Sequence, residues 1–246
     1  MSADTEEELE TLRAAGRVVA QALRAMRRQV RAGVTTAELD DVGARVFRRA
    51  GARSGPQLDY GFPGVNCISV NDEAVHGIPG RRRLRDGNLV KLDVTAELDG
   101  FYADACISVP VGRARPGTAA LAETARTALA EAMRAARAGA PLNAIGAAVE
   151  ESVARRGHAV CTDLMGHGIG RRIHEPPHVP NHYVPQLSQP LTEGLVLTIE
   201  PIISAGSGAV RETGDGWTVR TADGALSAHV EHTIVITQGA PIVLTA

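Results

Sequence analysis

Residues 90–106 read VKLDVTAELDGFYADAC, two strand-like runs on either side of the dipeptide Asp99-Gly100. Asp-Gly is a favoured dipeptide for the two-residue turn of a β-hairpin. With this turn at the centre, Asp104 lies opposite Thr95, and Asp93 projects from the same face because side chains alternate along a strand. The two aspartates are then diagonal neighbours about 7 to 8 Å apart at the backbone. Their carboxylates can therefore converge on shared cations.

The apolar residues around Asp93 make this aspartate informative. An aspartate flanked by Val90, Leu92 and Val94 is costly to bury unless it is paired, hydrogen-bonded or bound to a metal. One such residue is weak evidence of a cation site, and two on one face are stronger. The alternative is a hairpin whose carboxylates face water.

Three further residues of suitable chemistry stand in apolar or glycine-rich surroundings. Glu200 ends an apolar run, Glu231 stands in the β-branched run 230–236, and His167 lies in Gly166–Gly170, a loop whose glycines permit close approach. Four carboxylates and one imidazole match the oxygen-rich ligands of two hard-to-borderline divalent ions. A two-metal site holds a bridging hydroxide and polarises a carbonyl or phosphoryl oxygen. The pattern predicts a hydrolase.

Hydrophobic periodicity predicts the same order of elements twice. Apolar residues at three- and four-residue steps indicate helices, and β-branched runs between Gly, Pro and Asn-Asp signals indicate strands. A capping box at Thr35–Glu38 begins the second helix. The predicted helices cover residues 5–30, 36–51, 118–138 and 142–156, and the predicted strands cover residues 65–70, 89–95, 101–111, 194–204, 217–221 and 230–237.

A short repeat accompanies this order of elements. Arg31-Ala32-Gly33 recurs as Arg137-Ala138-Gly139, at an offset of 106 residues. We interpret it as an internal duplication, with chance similarity of two helix ends as the alternative. Nothing resembles a linker, so we expect residues 1–246 to form one α+β catalytic domain. Its halves would cover about 5–112 and 113–240, with the site between them.

Composition narrows the functional classes. The 246 residues are 44% hydrophobic and 22% charged, which is ordinary for a globular protein and excludes a disordered chain or a coiled-coil rod. A net charge of −2 and 3% aromatic residues leave little to attract or stack nucleic acid, so we expect no DNA partner.

Cellular location is predicted from the apolar runs, the chain start and the cysteines. No apolar run approaches the roughly 18 to 20 residues of a membrane helix, and the acidic first residues are the reverse of a signal peptide. Three cysteines indicate neither a disulfide framework nor a zinc ribbon. We therefore expect a cytoplasmic protein with no membrane partner.

Several motifs narrow the hydrolase class further. They are Val75–Pro79, Lys91–Thr95, Asp99–Phe101, Gly166–Gly170, Thr198–Pro201 and Glu231–Thr233. In this order and spacing they resemble the type I methionine aminopeptidases of the bacterial form, in peptidase family M24, over about residues 8–236. The resemblance implies the pita-bread fold, in which two pseudo-symmetric halves surround a curved antiparallel sheet with helices outside. It also suggests a monomer.

The resemblance implies a role for each of several residues. The implied ligands of two divalent ions are Asp93, Asp104, His167, Glu200 and Glu231. Among them, Asp104 and Glu231 would bridge the two ions. Such a donor set does not choose among Co, Mn, Fe(II) and Zn. Glu200 would also take the proton from the nucleophilic water.

Other residues would contact the substrate. His76 would contact the scissile amide, and His174 would stabilise the oxyanion; a histidine satisfied by backbone is the alternative for each. The implied methionine pocket consists of Tyr60, Phe62, Cys67 and Trp217. The alternative is that these residues belong to the apolar core.

The implied activity is co-translational removal of the initiator methionine. The substrates would be nascent polypeptides with a small second residue at the ribosome, and the first peptide bond would be attacked by hydroxide across two ions. The sequence departs from the family's pattern at a few positions. Val75 stands where many members have cysteine, the run containing Asp59 is one residue shorter, Ile173 replaces an aromatic residue, and His229 stands where many members have glutamine.

Other functions remain as alternatives. X-Pro aminopeptidases and prolidases use a similar ligand set but carry a substantial N-terminal domain, and the type II methionine enzymes carry a helical insertion for which the interval from His174 to Glu200 is too short. A scaffold protein that has lost catalysis should have lost ligands, and none is missing. We expect no ribosome docking through a zinc-binding N-terminal extension.

Overall fold

The structure is a computed structural model that describes residues 1–246. Its helices are α1 (Glu6–Gln29), α2 (Thr36–Ala50), α3 (Gly55–Tyr60), α4 (Pro116–Ala135) and α5 (Asn143–Ala154). Its strands in the first half are β1 (Arg53–Ser54), β2 (Cys67–Val70), β3 (Glu73–Val75), β4 (Leu89–Leu98) and β5 (Phe101–Pro110). None of the helices is both long enough and apolar enough to cross a membrane.

The second half contains ten short strands. They are β6 (Ala159–Val160), β7 (Met165–Gly168), β8 (Glu175–Pro180), β9 (Val196–Ile199), β10 (Ile202–Ser204), β11 (Val210–Glu212), β12 (Val219–Thr221), β13 (Ser227–His229), β14 (His232–Val235) and β15 (Ile242–Val243). The paired strands are antiparallel throughout, in sheets ordered β1-β4-β2 with β5 on β4, β13-β10-β6, β11-β12-β3 and β15-β14-β9-β7-β8.

The four long helices agree with the sequence prediction, each to within three residues at either end. The predicted capping box begins α2, because Thr35 Oγ1 accepts a hydrogen bond from the Glu38 amide while the Glu38 carboxylate accepts one from the Thr35 amide. Gly51 ends the helix in the left-handed conformation, with φ of 73°. The short helix α3 was not predicted, since its six residues carry no periodic apolar pattern.

The hairpin of β4 and β5 has the predicted register. Asp99 and Gly100 both have positive φ, 52° and 82°, as a two-residue turn with the twist of the flanking strands requires. Thr95 lies opposite Asp104, and Asp93 lies opposite Cys106. The two aspartates therefore leave the hairpin from one face.

Two local predictions are wrong in the second half. His167 lies in strand β7 and not in a loop. The glycines on either side of it permit close approach of neighbouring strands, because a Cβ on Gly166 would strike the Thr198 carbonyl and one on Gly168 would strike the Pro176 carbonyl. Glu231 lies between β13 and β14 and not inside a strand that covers 230–237, because its main chain pairs with a different partner.

That partner is β5, and the contact joins the two halves of the chain. The Glu231 amide donates to the Cys106 carbonyl (2.9 Å), and the Cys106 amide donates back to the Glu231 carbonyl (3.4 Å). The Asp104 amide donates to Thr233 Oγ1 (2.8 Å), which donates in turn to the Asp104 carbonyl (2.7 Å). We call this contact the seam.

Each half has its own apolar core. In the first half, Leu23 and Met26 of α1 are buried in one cluster with Leu92 of β4. In the second half, Leu129 of α4 and Ile145 of α5 belong to another cluster with residues of β9 and β14. The helices thus cover the outer faces of the strands. This arrangement agrees with the pita-bread fold, while the internal duplication stays a prediction.

Lys91 is the only lysine of the chain and is completely buried. Its Nζ donates to the carbonyls of Asn71 (2.7 Å) and Ser227 (3.2 Å), which belong to the first and second halves. Burial lowers the pKa of the Lys91 ammonium to about 7. The side chain therefore joins β4 to β13 through main-chain carbonyls.

We predict that Thr233→Val destabilises the protein by about 1 to 3 kcal/mol, because it leaves the buried amide and carbonyl of Asp104 without a partner while keeping the side chain's shape. Urea unfolding of the metal-free protein measures the change. Thr237→Val removes a hydroxyl that bonds the exposed Ala240 carbonyl and should cost less than about 0.5 kcal/mol. Equal stability of the two variants would contradict the importance of the seam.

Candidate active site

The predicted site residues line one cavity of about 430 Å³ between the two halves. Residues of β2, β4 and β5 line it from the first half, and residues of β7, β10 and β13, with those directly after β9 and β13, line it from the second. All of the residues singled out from the sequence are present in its lining: Tyr60, Phe62, Cys67, His76, Asp93, Asp104, His167, His174, Glu200, Trp217 and Glu231.

The hairpin supplies two carboxylates. Thr95 Oγ1 donates to Asp104 Oδ2 (2.8 Å), whereas Asp104 Oδ1 is buried without any hydrogen-bond partner. Burial, together with the charge of Asp104, raises the pKa of Asp93 far above its usual range. Burial likewise raises the pKa of Asp104 to about 6. When both are charged, the two carboxylates repel each other in this buried cavity.

The second half supplies two more carboxylates. Glu200 directly follows β9, and Thr198 Oγ1 donates to its Oε1 (3.1 Å). Burial raises the pKa of Glu200 to about 8. Glu231 is only 2% exposed, and its Oε1 has no hydrogen-bond partner. Burial and the neighbouring carboxylates raise the pKa of Glu231 well above its usual range.

His167 is prepared to act as a neutral nitrogen ligand. Its Nδ1 lies 2.9 Å from the Gly168 carbonyl, which can only accept, so this nitrogen carries the proton. Nε2 then presents a lone pair, 3.4 Å from Glu200 Oε1. Burial lowers the pKa of His167 to about 3, which keeps the imidazole uncharged at neutral pH.

His229 also lies among the carboxylates. It is 2% exposed, and its Nε2 is 3.5 Å from Glu200 Oε2 and 3.6 Å from Glu231 Oε2. This position departs from the family's pattern, and the ligand set implied by the resemblance does not include it. The available signal was its spacing, since it precedes Glu231 by two residues in a run with strand character.

The donor set fits divalent cations. Two groups of residues could each hold an ion, Asp104–His167–Glu231 and Glu200–His229–Glu231. Within each group the ligand atoms lie within 4.8 Å of one another. Buried carboxylate oxygens without a hydrogen bond, such as those of Asp104 and Glu231, are costly unless a positive charge compensates them. The mixture of carboxylates and imidazoles suits first-row divalent ions.

The substrate side of the cavity carries two histidines. His76 follows β3 with φ of 55°, a left-handed conformation that is rare outside glycine and is often found at functional sites. Burial lowers its pKa to about 4. The Tyr60 hydroxyl lies 2.5 Å from His174 Nδ1, so the shorter run before it does not keep Tyr60 from the cavity.

Two of the departures from the family's pattern meet beside His174. Asp59 Oδ1 accepts from the Tyr102 hydroxyl (2.8 Å), and its Oδ2 accepts from the Ile173 amide (3.3 Å). Asp59 therefore fastens the end of α3 to the segment that carries His174. Ile173 itself is buried and lines the cavity.

An apolar pocket adjoins the carboxylates. The rings of Phe62 and Trp217 meet edge to face with centroids 5.2 Å apart, and Cys67 lies opposite Asp93 in the β2–β4 pair. The predicted strand 217–221 begins only at Val219, because Asp215 accepts from the Trp217 amide and forms a turn. Burial raises the pKa of the Cys67 thiol, so this residue is an apolar wall and not a nucleophile.

Comparisons with known proteins agree with this geometry. The profile of metallopeptidase family M24 matches residues 10–238. The chain is 43% identical to methionine aminopeptidase 2 of Bacillus subtilis strain 168 and 39% identical to methionine aminopeptidase of Staphylococcus epidermidis, each over 247 residues. These alignments cover 100% of this chain and 99% and 98% of the relatives.

Solved structures give the same result. Methionine aminopeptidase from Thermotoga maritima superposes with a TM-score of 0.96 at 34% identity, covering 100% of this chain and 99% of that one. The prolidase from Pyrococcus horikoshii OT3 shares the fold alone, with a TM-score of 0.78 at 20% identity over 98% of this chain and 62% of that one.

A pita-bread fold with buried carboxylates and imidazoles at its centre defines a metal-dependent peptidase. The chain belongs to metallopeptidase family M24 and, within it, to the methionine aminopeptidases. It is a metalloaminopeptidase hydrolase, and the resemblance, the fold class and the enzyme class predicted from the sequence are confirmed.

The buried Glu200 makes a pH-dependent contribution to stability in the absence of metal. Its pKa is raised from 4.5 to about 8, so between these values the folded protein holds a proton that the unfolded chain has lost. Stability from this group is therefore lost as pH rises through about 8. His167 and His229, whose pKa is lowered from 6.5 to about 3, have no effect above pH 6.5, where both states are neutral.

We predict that Glu200→Gln stabilises the metal-free protein relative to wild type by about 1 to 2 kcal/mol more at pH 8 than at pH 6.5. Urea unfolding in the presence of a chelator measures this difference. The lowered pKa of Lys91 makes stability rise with pH above pH 7. Lys91 is present in both proteins, so its contribution cancels in the difference between them. A difference that is independent of pH would contradict the raised pKa of Glu200.

Proposed function

We propose that this protein removes the initiator methionine from nascent polypeptides whose second residue is small. The observation that carries the proposal is one cavity in which a cation-binding cluster adjoins an apolar pocket lined by Phe62, Cys67 and Trp217. The pocket suits an unbranched apolar side chain such as methionine. Cleavage at the carboxylates would then fall one residue from the chain end.

Two divalent cations, of Co, Mn, Fe(II) or Zn, would supply Lewis-acid polarisation of the first peptide carbonyl and acidify the attacking water. The residues proposed to hold them are Asp93, Asp104, His167, Glu200 and Glu231. Asp104 and Glu231 are the proposed bridging residues. Each has one buried carboxylate oxygen that makes no hydrogen bond within the protein, which supports that assignment.

Glu200 is the proposed acceptor of the proton from water. Its carboxylate accepts one hydrogen bond, from Thr198, so lone pairs remain free. Burial raises its pKa in the metal-free protein, which makes it a stronger base than an exposed carboxylate, and bound cations would lower that pKa so that the group is charged and can accept a proton. A carboxylate in an aqueous environment, with a pKa near 4, would be a much weaker base.

His174 and His76 are the proposed contacts of the peptide bond. When the Tyr60 hydroxyl donates to His174 Nδ1, the neutral ring carries its proton on Nε2, which can donate to the oxyanion. Burial lowers the pKa of both histidines, which supports neutral imidazoles. His76 is held by its backbone at the cavity wall, where it can contact the scissile amide.

The preference for a small second residue is assigned to the mouth of the cavity. The rings of Tyr60 and His174 lie with centroids 5.5 Å apart, and Tyr60 is half-exposed. A second side chain leaving the pocket would meet these two rings. Bulky residues would displace them, and alanine or serine would not.

We also infer the setting of the reaction. An initiator methionine occurs only at the start of a newly made polypeptide, so the proposed substrates are nascent chains at the ribosome in the cytoplasm. Both sides of the cavity come from one chain, so a monomer has a complete site. The finding that no helix could cross a membrane is compatible with this setting.

We predict that the chelated protein, after addition of Mn, Fe(II), Co or Zn, releases methionine from Met-Ala-Ser and at least about 100-fold more slowly from Met-Leu-Ser, a difference of about 2.7 kcal/mol in the transition state. Amino-acid analysis of the released residue measures both rates. Release of alanine from Ala-Pro-Ser would instead indicate an X-Pro aminopeptidase.

Variants of the proposed bridging residues are the control for that experiment. Asp104→Ala and Glu231→Ala should each abolish metal-dependent release while the circular dichroism spectrum stays unchanged, since the cores of the two halves lie elsewhere. Full activity of both variants at controlled metal concentration would overturn the ligand assignment. Silence of the wild type with every metal would favour a scaffold protein.

We predict that His174→Ala lowers kcat by about 100- to 1000-fold with little change in KM, as expected for a donor that acts on the oxyanion. His158→Ala is a matched control, because His158 bonds Thr124 of α4 outside the cavity. A rise in KM at unchanged kcat would assign His174 to substrate binding alone.

A further inference from the structure

We propose that His229 is an additional ligand of the divalent cations, which gives the site a second imidazole beside His167. This inference rests on the proposed function, since it requires that the cavity binds metal. It adds His229 to the five residues implied by the family resemblance. Three features support it: the position of the main chain, the surroundings of the ring, and the distances from the ring to two carboxylates.

The main chain of His229 is fixed from two sides. It ends strand β13, where it lies opposite Ile202 of β10. The His229 amide donates to Ser108 Oγ (3.0 Å), and Ser108 Oγ donates to the His229 carbonyl (2.8 Å). Ser108 belongs to β5, so the seam holds the residue firmly and directs its side chain into the cavity.

The imidazole has no partner that would make it a structural residue. Both Nδ1 and Nε2 are buried and make no hydrogen bond. By contrast, His167 Nδ1 meets the Gly168 carbonyl, and His232 Nδ1 meets Thr245 Oγ1 (2.8 Å). A buried imidazole with two unsatisfied nitrogens is costly, and a metal ion removes that cost.

The distances from Nε2 match a shared ion better than a hydrogen bond. Nε2 lies 3.5 Å from Glu200 Oε2 and 3.6 Å from Glu231 Oε2, which is longer than the usual 2.7 to 3.2 Å of an N–H···O bond. Two ligand atoms each about 2.1 Å from a tetrahedral ion are about 3.4 Å apart. The three atoms are thus spaced as neighbours in one coordination sphere.

An additional nitrogen changes which ions the site prefers. Imidazole suits Zn, Co, Fe and Cu, whereas carboxylate and water suit Mg and Mn. With His229, the donor set near Glu200 and Glu231 contains more nitrogen than the five-residue set. We therefore expect His229 to favour Zn²⁺ and Co²⁺ over Mn²⁺.

The experiment compares His229→Gln with wild type by titrating Zn²⁺ and Mn²⁺ separately into the chelated proteins in competition with an indicator. Glutamine retains a polar side chain of similar reach but lacks the imidazole nitrogen. We expect Zn²⁺ affinity to fall at least about 10-fold and Mn²⁺ affinity to fall less than about 3-fold. His158→Gln, whose ring bonds Thr124 far from the cavity, should bind both ions as wild type does.

X-ray absorption at the zinc edge separates a direct ligand from a residue that acts through Glu200. His167 and His229 belong to different ligand groups, so wild type loaded with two equivalents of Zn²⁺ should show an average of one imidazole per ion and His229→Gln should show half of that. An average of half an imidazole per ion in both proteins, or unchanged affinity for both ions, would overturn the inference. Because the wild-type spectrum counts the imidazoles by itself, the test holds even if the variant does not fold.

The outcomes also distinguish this inference from the proposed function. If wild type releases methionine from Met-Ala-Ser and the two zinc ions have only one imidazole between them, the aminopeptidase proposal stands and His229 is not a ligand. If wild type binds neither Zn²⁺ nor Mn²⁺, the metal-dependent function itself fails. Two imidazoles over the two zinc ions without methionine release would support His229 and refute the substrate.

Discussion

The mutual repulsion of four carboxylates in one buried cavity is the constraint on which the rest of this structure depends. Asp93 and Asp104 lie on β4 and β5 of the first half, and in the second half Glu200 directly follows β9 and Glu231 lies between β13 and β14. Burial raises the pKa of each, and neighbouring carboxylates raise the pKa of Asp93, Asp104 and Glu231 further, so the scaffold must hold them against a force that separates them. Hydroxyl donors reduce this repulsion in part, and cations would reduce it much further.

The scaffold holds the four carboxylates in place because each half has its own apolar core and the hydrogen bonds of the seam join the halves. Each pair of long helices packs its own half, two smaller apolar clusters contain residues of both halves, and hydrogen bonds join the halves beside the site. Thr233 and Ser108 each bond both the amide and the carbonyl of a residue in the opposite half. Those two residues are Asp104 and His229, so the same bonds that join the halves also place groups of the site.

The sequence predicts the elements whose causes are local. The Asp99-Gly100 turn determines the register of its hairpin, so the positions of Asp93 and Asp104 follow from adjacent residues. His167 and Glu231 were assigned to the wrong local structure, because strand packing at Gly166 and the pairing of Glu231 with Cys106 depend on residues distant in sequence. The importance of His229 was missed for the same reason, since only the folded chain brings it to Glu200.

The burial of Lys91 has a consequence for chemical labelling. Every other basic side chain in the sequence is an arginine or a histidine, so the folded protein exposes no lysine amine to acylating reagents or amine cross-linkers. Lys91 reacts only when β4 separates from β13, because its Nζ lies between the Asn71 and Ser227 carbonyls. The rate of its acylation in the native state therefore reports how often the two halves open.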